Sequence, residues 1–467
     1  MSERTRTMPA TSRLTRRDLL RAAATLSLSG TTPVVAGCSA TPRGGGVPSP
    51  AAVGETLEVQ QARLAVPLAR APQLTAVAAG MAAFTAALHR VSASRDSNWV
   101  VSPLSLSVAI GMLRAGARGR TGRQIDTVLG FPHSSAPAGS PHAALNALTA
   151  DLVTGTESPA VASRSTPSVD GAGPPPVLTV ENGLFVADPF GSRMAPDFLR
   201  LLAGQYGAHA TAVDFAGGRG PQVVNGWADR ATRGRITKIF DSLGPDTLLV
   251  LANAVYLKAA WQHELAVAET RTGPFRTATG QTVPAQLMRG TLDGVAYTES
   301  ADWQSVALPY WGGELTMRVV LPRRVLRDTT ALGALLPLAT RRVPVAADRF
   351  PNGWVDLTLP RWDTGTTVDL RSYLPGLGMP DAFGTAADLS GIAPGLWVSQ
   401  AVHRATVTVD ELGTEAAAVT GIAVAAAGRT GSPNVMRVDR PFVWAVLHEP
   451  TGTPVFAGHV VDPTAAG

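Results

Sequence analysis

Ser102 and Ser105, three residues apart in Ser102-Pro103-Leu104-Ser105, have the type and spacing that most invite nucleophilic chemistry. With His403 as the base they would form the core of a hydrolase, a hydroxyl activated by an imidazole. The surrounding sequence gives that reading little support. Ser102 and Pro103 lead directly into the apolar positions Val108, Met112 and Leu113, which suits a helix start or a buried polar network better than an exposed nucleophile. The other histidines are scattered, and His263-Glu264 lacks the second histidine four residues on that a zinc-binding HExxH needs. No GxSxG elbow, no GxxxxGKS/T phosphate loop and no GxGxxG after a strand occurs. The chain is therefore read as non-enzymatic, with no catalytic residue, no cofactor and no metal site expected.

One further nucleophile is Cys38, the single cysteine, which excludes an intrachain disulfide and a Cys-rich metal site. It closes Val35-Ala36-Gly37-Cys38, which resembles a bacterial lipobox, where the cysteine is acylated and begins the mature chain. Upstream, Thr15-Arg16-Arg17-Asp18-Leu19-Leu20 resembles a twin-arginine export motif, and a mildly apolar stretch too short to span a bilayer follows it. Residues 1–37 are thus expected to be an export signal. Cys38 would then be the lipid anchor of a protein held on the outer face of the cell membrane, with free secretion as the alternative. This changes the meaning of the charge. The 467 residues carry 40 basic and 35 acidic side chains and a pI near 9.8. Residues 1–37 hold six basic and two acidic ones, which leaves 34 against 33 in the remainder. A nearly neutral body gives no reason to expect a nucleic-acid partner.

Elements able to position such residues begin further on. With 45% hydrophobic and 16% charged residues, the chain is not a largely disordered one. Residues 38–73, rich in Gly, Pro, Ser and Ala at their start, lack apolar periodicity and read as a flexible tether. From Leu74, the positions Val77, Met81, Phe84, Leu88 and Val91 recur at helical spacing, and one domain is expected over 74–463. Within it, 154–176 is Ser-, Pro-, Gly- and Ala-rich and reads as a surface insertion. The continuous apolar run 248–261 suits a strand covered on both faces. Alternation from Val407 onward predicts another strand.

Four stretches, in order, carry a family resemblance. The first is Asn98-Trp99-Val100-Val101-Ser102-Pro103-Leu104-Ser105, followed by Gly116-Ala117-Arg118-Gly119-Arg120-Thr121. The second is the apolar run holding Asn253 and Trp261, and the third is Val402-His403-Arg404 with the strand after it. The fourth is Glu411-Leu412-Gly413-Thr414-Glu415-Ala416-Ala417-Ala418, with Asp439-Arg440-Pro441-Phe442 and Pro454-Val455-Phe456-Ala457-Gly458 closing the chain. Together they resemble the serpin family over about residues 74–463.

The resemblance implies a mixed α+β fold with a large, mostly antiparallel central sheet, additional sheets, eight or nine helices and an exposed reactive loop. It implies that Ser102, Ser105, Asn253 and His403 form a buried network, the shutter, beneath strands that part. Trp261, Arg361 and Glu411 would form the breach; an ordinary surface ion pair there would be worth about 0–1 kcal/mol. Residues 411–434 would be hinge and reactive loop, with Glu411, Gly413, Thr414, Glu415, Ala416, Ala417 and Ala418 as the hinge. Leu412 departs from the family pattern, where a charged residue is usual.

The implied activity is suicide inhibition of a serine protease: the enzyme acylates on the loop, and the loop inserts into the sheet before deacylation. The loop sequence suits insertion. Thr414, Ala416, Ala418, Thr420, Ile422, Val424 and Ala426 would share one uncharged face, Glu415 falls on the other, and no proline interrupts 414–427. Counting from the hinge at the family's spacing puts the scissile bond at Ala427-Gly428, which suits an elastase- or subtilisin-like target. Arg429-Thr430, for a trypsin-like target, is the alternative. A monomer is expected. The competing readings are a non-inhibitory binding or scaffold protein of the same fold and, remotely, the Ser102/Ser105–His403 hydrolase.

Overall fold

The structure, a computed structural model, describes residues 54–465 except 58, 60, 69–70, 72, 133–139, 153–175, 233, 235, 342–353 and 415–433. Cys38, residues 415–418 and both expected scissile bonds (Ala427-Gly428 and Arg429-Thr430) lie outside the described residues, as does the insertion apart from Pro176.

In chain order, strand β1 (Glu55–Leu57) precedes helix α1 (Leu74–Ser92), and β2 (Trp99–Val101) leads into α2 (Pro103–Gly116), α3 (Gly119–Leu129) and α4 (Pro141–Leu152). Strands β3 (Val177–Ala187), β4 (Ala210–Val213) and β5 (Leu249–Ala260) follow. The middle of the chain supplies β6 (Arg271–Arg276), β7 (Thr282–Asp293), β8 (Ala296–Glu299), β9 (Trp303–Pro309) and β10 (Leu315–Pro322). The last part supplies β11 (Trp354–Pro360), β12 (Trp362–Asp369), β13 (Gln400–Asp410) and β14 (Gly413–Thr414). It ends with β15 (Asn434–Arg437), β16 (Phe442–His448) and β17 (Thr453–Val460).

Three sheets result. The largest has the order β1-β4-β3-β5-β14-β13-β12, the second β2-β17-β16-β10-β9-β8, and the third β15-β11-β7-β6. In the largest sheet most neighbours are antiparallel, but β3 runs parallel to β4 and β5 parallel to β13. The expected α+β class holds, with a large central sheet and two more. Strand β5 is buried on eleven of its twelve residues, Lys258 being the partial exception, as a continuous apolar run in mid-sheet requires.

Helix α1 buries Val77, Met81, Phe84 and Leu88 in the core, as its stripe predicts, while Val91 stands 45% exposed. It is long and apolar enough to cross a bilayer, yet this buried face makes it a core helix. Helix α2 starts as its sequence predicts: the Ser102 hydroxyl accepts the Ser105 N–H at 3.1 Å and Pro103 takes the first turn, where its missing N–H costs nothing.

The described fold begins before the expected boundary at residue 74. Strand β1 pairs with β4 and extends the large sheet by one edge. Further on, Arg63 donates to Asn146 Oδ1 at 2.9 Å and to the Thr149 hydroxyl on α4, and Leu64 N–H donates to Gly204 O at 2.7 Å. Part of the expected tether is therefore docked. It lacks apolar periodicity because it is held by edge pairing and polar contacts rather than by a buried stripe.

Candidate functional site

Along the lower part of the large sheet β5 and β13 pair directly, in parallel, from Val250 opposite Gln400 to Val255 opposite Ala405. Above that point β14 lies between them. Thr414 is opposite Ala259 on one side and Val409 on the other, and Gly413 is opposite Ala260 and Asp410. Two residues of the expected hinge thus already form an antiparallel rung with each parted strand.

The tight turn into β14 has local causes. The Asp410 carboxylate accepts N–H groups from Leu412 at 2.8 Å and Gly413 at 3.2 Å, a side-chain-closed turn. Gly413 has φ of +146°, and a Cβ there would stand 2.1 Å from Ala259 O, so only glycine fits. From the other side, Trp261 N–H donates to Leu412 O at 2.9 Å, Trp261 Nε1–H to Asp410 O at 2.9 Å, and Leu265 N–H to Glu411 O at 3.0 Å. The three turn carbonyls are all claimed by one short segment following β5.

Glu411 points inward, with its side chain 2% exposed, and meets Arg361, which is 41% exposed. The guanidinium Nε lies 2.8 Å from both carboxylate oxygens, and the Thr270 hydroxyl also donates to Oε1. Burial pushes this carboxyl up, but the bonds from Arg361 and Thr270 outweigh it and hold the net value below the usual carboxylate range. With one partner this deeply buried, the pair is not the ordinary surface pair that stood as the alternative to a breach contact.

Within the parallel pairing, Asn253 lies opposite Asn182 on one side and His403 on the other. Its amide donates to the Ser105 hydroxyl and to Asn182 Oδ1, both at 2.5 Å. His403 Nε2 accepts the backbone N–H of Ser102 at 3.1 Å, so the ring proton sits on Nδ1, which donates to Asn253 Oδ1 at 2.5 Å. Burial drives the imidazole down to about 3, which keeps it neutral. Ser102, Ser105, Asn253 and His403 are all fully buried.

The hydrolase reading fails on this geometry. Both ring nitrogens of His403 are engaged by an amide side chain and a backbone N–H, neither being a serine hydroxyl, and no face of the cluster reaches solvent. The structure thus brings together the four polar residues singled out in the sequence, and separately Trp261, Arg361 and Glu411. It adds three that sequence reasoning missed: Asn182, Thr270 and Tyr310. Asn182 carried a signal, an amide inside an apolar strand run; Thr270 carried none.

Comparison with known proteins gives a consistent result. A family model described as Serpin (serine protease inhibitor) matches residues 79–463. The leukocyte elastase inhibitor of Bos taurus is 30% identical over 378 residues, which are 78% of this chain and 93% of that protein. A serpin-like protein of Thermococcus kodakarensis is 29% identical over 386 residues, 81% and 84% of the two chains. Among solved structures, the thermophilic serpin tengpin in its native state superposes with a TM-score of 0.71 at 23% identity, covering 87% of this chain and all of that one, which bears on the fold alone.

Proposed function

Because the chain belongs to the serpin family, we propose that it inhibits serine proteases as a suicide substrate, the loop 411–434 being attacked and then inserted between β5 and β13. The observation that carries this reading is the position of β14: the first inserting residues already occupy the gap between the two strands that must part. Thr414 is fully buried, in keeping with the inward face read from the alternation of the loop sequence. The neutral His403–Asn253 contact bridges those same two strands lower down and would be exchanged as they separate. At about 3.3 Å per residue, insertion of the loop would carry a tethered protease roughly 45 Å.

The scissile bond is assigned to Ala427-Gly428 and the target to an elastase- or subtilisin-like protease. The inhibitors of leukocyte elastase among the relatives support that class. The test is incubation with elastase, subtilisin and trypsin in turn, with SDS gels and the mass of the released C-terminal fragment. An SDS-stable complex with elastase or subtilisin and a fragment beginning at Gly428 is expected. A complex with trypsin alone, and a fragment beginning at Thr430, would overturn the assignment. Clean cleavage without any complex would make the protein a non-inhibitory relative.

Export and anchoring through Cys38 belong to the same proposal. In the producing cell, Cys38→Ala should move the protein from the membrane fraction to the soluble one, and an unchanged distribution would sink the anchor.

A further inference from the structure

We propose that Tyr310 is a positioning residue for the hinge. Its phenol holds Thr414 in the first inserted rung and so sets how often insertion outruns release of the protease. The proposal rests on the inhibitory reading above.

The Tyr310 hydroxyl and the Thr414 hydroxyl share a hydrogen bond of 2.7 Å, and both residues are fully buried. Burial pushes the phenol's pKa upward, so the oxygen keeps its proton, and either hydroxyl can donate to the other. The ring cannot follow Thr414 if the hinge leaves. It stacks on Trp261 at 4.5 Å between centroids and 14° between planes, and the two residues form an antiparallel bridge. Backbone bonds fix it on both sides: Tyr310 N–H donates to Leu315 O and Trp311 N–H to Ala260 O, each at 2.9 Å. Gly312 and Gly313, with φ of 88° and 71°, close the turn that follows.

Tyr310 is thus a rigid hydrogen-bonding site outside the hinge, and Thr414 is the partner that the hinge would carry away. When β14 withdraws, a buried phenol in a dry setting loses its partner, so docking of the hinge and satisfaction of Tyr310 are one event. A hydrogen bond of ordinary net worth shifts the docked-to-withdrawn ratio by about fivefold. That ratio enters the competition directly, because insertion past Thr414 starts from the docked form.

The variants Tyr310→Phe, Thr414→Val, Thr414→Ser and the double variant Tyr310→Phe/Thr414→Val separate this role from plain packing. Tyr310→Phe keeps the stack and the bridge and removes one oxygen. Hydrogen exchange of the peptide spanning 409–414 is expected to quicken about fivefold in Tyr310→Phe. The number of inhibitor molecules consumed per elastase trapped should rise at least twofold. Thr414→Val should behave alike, Thr414→Ser should stay near wild type, and the double variant should be no worse than either single one. A merely structural residue would lower the melting temperature without moving hinge exchange or stoichiometry. Unchanged exchange over 409–414 in a folded Tyr310→Phe protein, or additive effects in the double variant, would overturn the proposal. If wild type traps no protease, the inhibitory reading fails by itself, while hinge exchange still decides whether Tyr310 holds Thr414.

Discussion

Asn253 and His403 sit directly opposite each other across the parallel β5–β13 pair, with imidazole Nδ1 2.5 Å from the amide oxygen. The same Asn253 amide serves Ser105 and Asn182. Asn253→Ala would orphan a buried imidazole N–H and leave Asn182 Oδ1 without its partner amide. The expected loss is about 2–4 kcal/mol, seen as a lower denaturation midpoint, and a loss below about 0.5 kcal/mol would refute it.

Gly413→Ala places a methyl 2.1 Å from Ala259 O at a backbone angle that L-residues avoid. The turn would have to leave the gap between β5 and β13, giving up its rungs with both strands and the Thr414 bond to Tyr310. Gel assays with elastase should show mainly cleaved inhibitor and little complex, at a lowered melting temperature but with the fold retained. Undiminished complex formation would contradict the role given to the first rung.

Arg361→Ala leaves the Glu411 carboxylate buried with Thr270 as its side-chain donor. Breaking a fully buried pair costs about 3–5 kcal/mol; the 41% exposure of Arg361 reduces the expected loss to about 1–3 kcal/mol. Adding Glu411→Gln should recover part of it, because the uncompensated charge disappears. A double-mutant cycle in denaturant measures the coupling, and independent, additive losses would count against it.

Acid should weaken the protein steeply. His89 and His403 are held down to about 3, and His448 and His459 to about 4, by burial above all. The unfolded chain, with ordinary values near 6.5, therefore takes up protons first as pH falls. Stability is full above about pH 6.5 and is lost as pH drops toward the folded values, each group adding a slope of up to about 1.4 kcal/mol per pH unit. Glu411, whose carboxyl is held low, adds a loss in the same direction below its unfolded value. Denaturation midpoints should be level between pH 8 and 7 and fall sharply between about 6 and 4.5; a flat profile would refute the account.

The residues legible in the sequence were those whose type is unusual for their surroundings. A histidine and an asparagine in apolar strands stand out, and so do a proline at a helix start and a run of alanines after Gly413. What stayed hidden depends on partners distant in the chain. Strand β1 is three residues with no pattern of their own, made a strand by β4 more than 150 residues later. Tyr310 reads as an ordinary aromatic before a glycine turn, and only the meeting of the first and second sheets at Trp261 gives it Thr414 as a neighbour. Thr270 is found only through the carboxylate it serves.

The two-residue turn at Glu411-Leu412 makes β13 and β14 a hairpin, already closed by its first paired residues, Asp410 with Gly413. The proposed loop insertion would then be the lengthening of a hairpin whose nucleation has been completed, so the entropy of bringing two distant segments together would not have to be met again. Its far edge is supplied by β5, with Ala259 and Ala260 setting the register for whatever follows. If insertion grew past Ala405, each added residue would exchange one parallel contact between β5 and β13 for two antiparallel ones, the more stable kind. Under the proposed mechanism the sheet would behave as a zipper with its slider engaged, biased toward closing from the moment the loop is cut free.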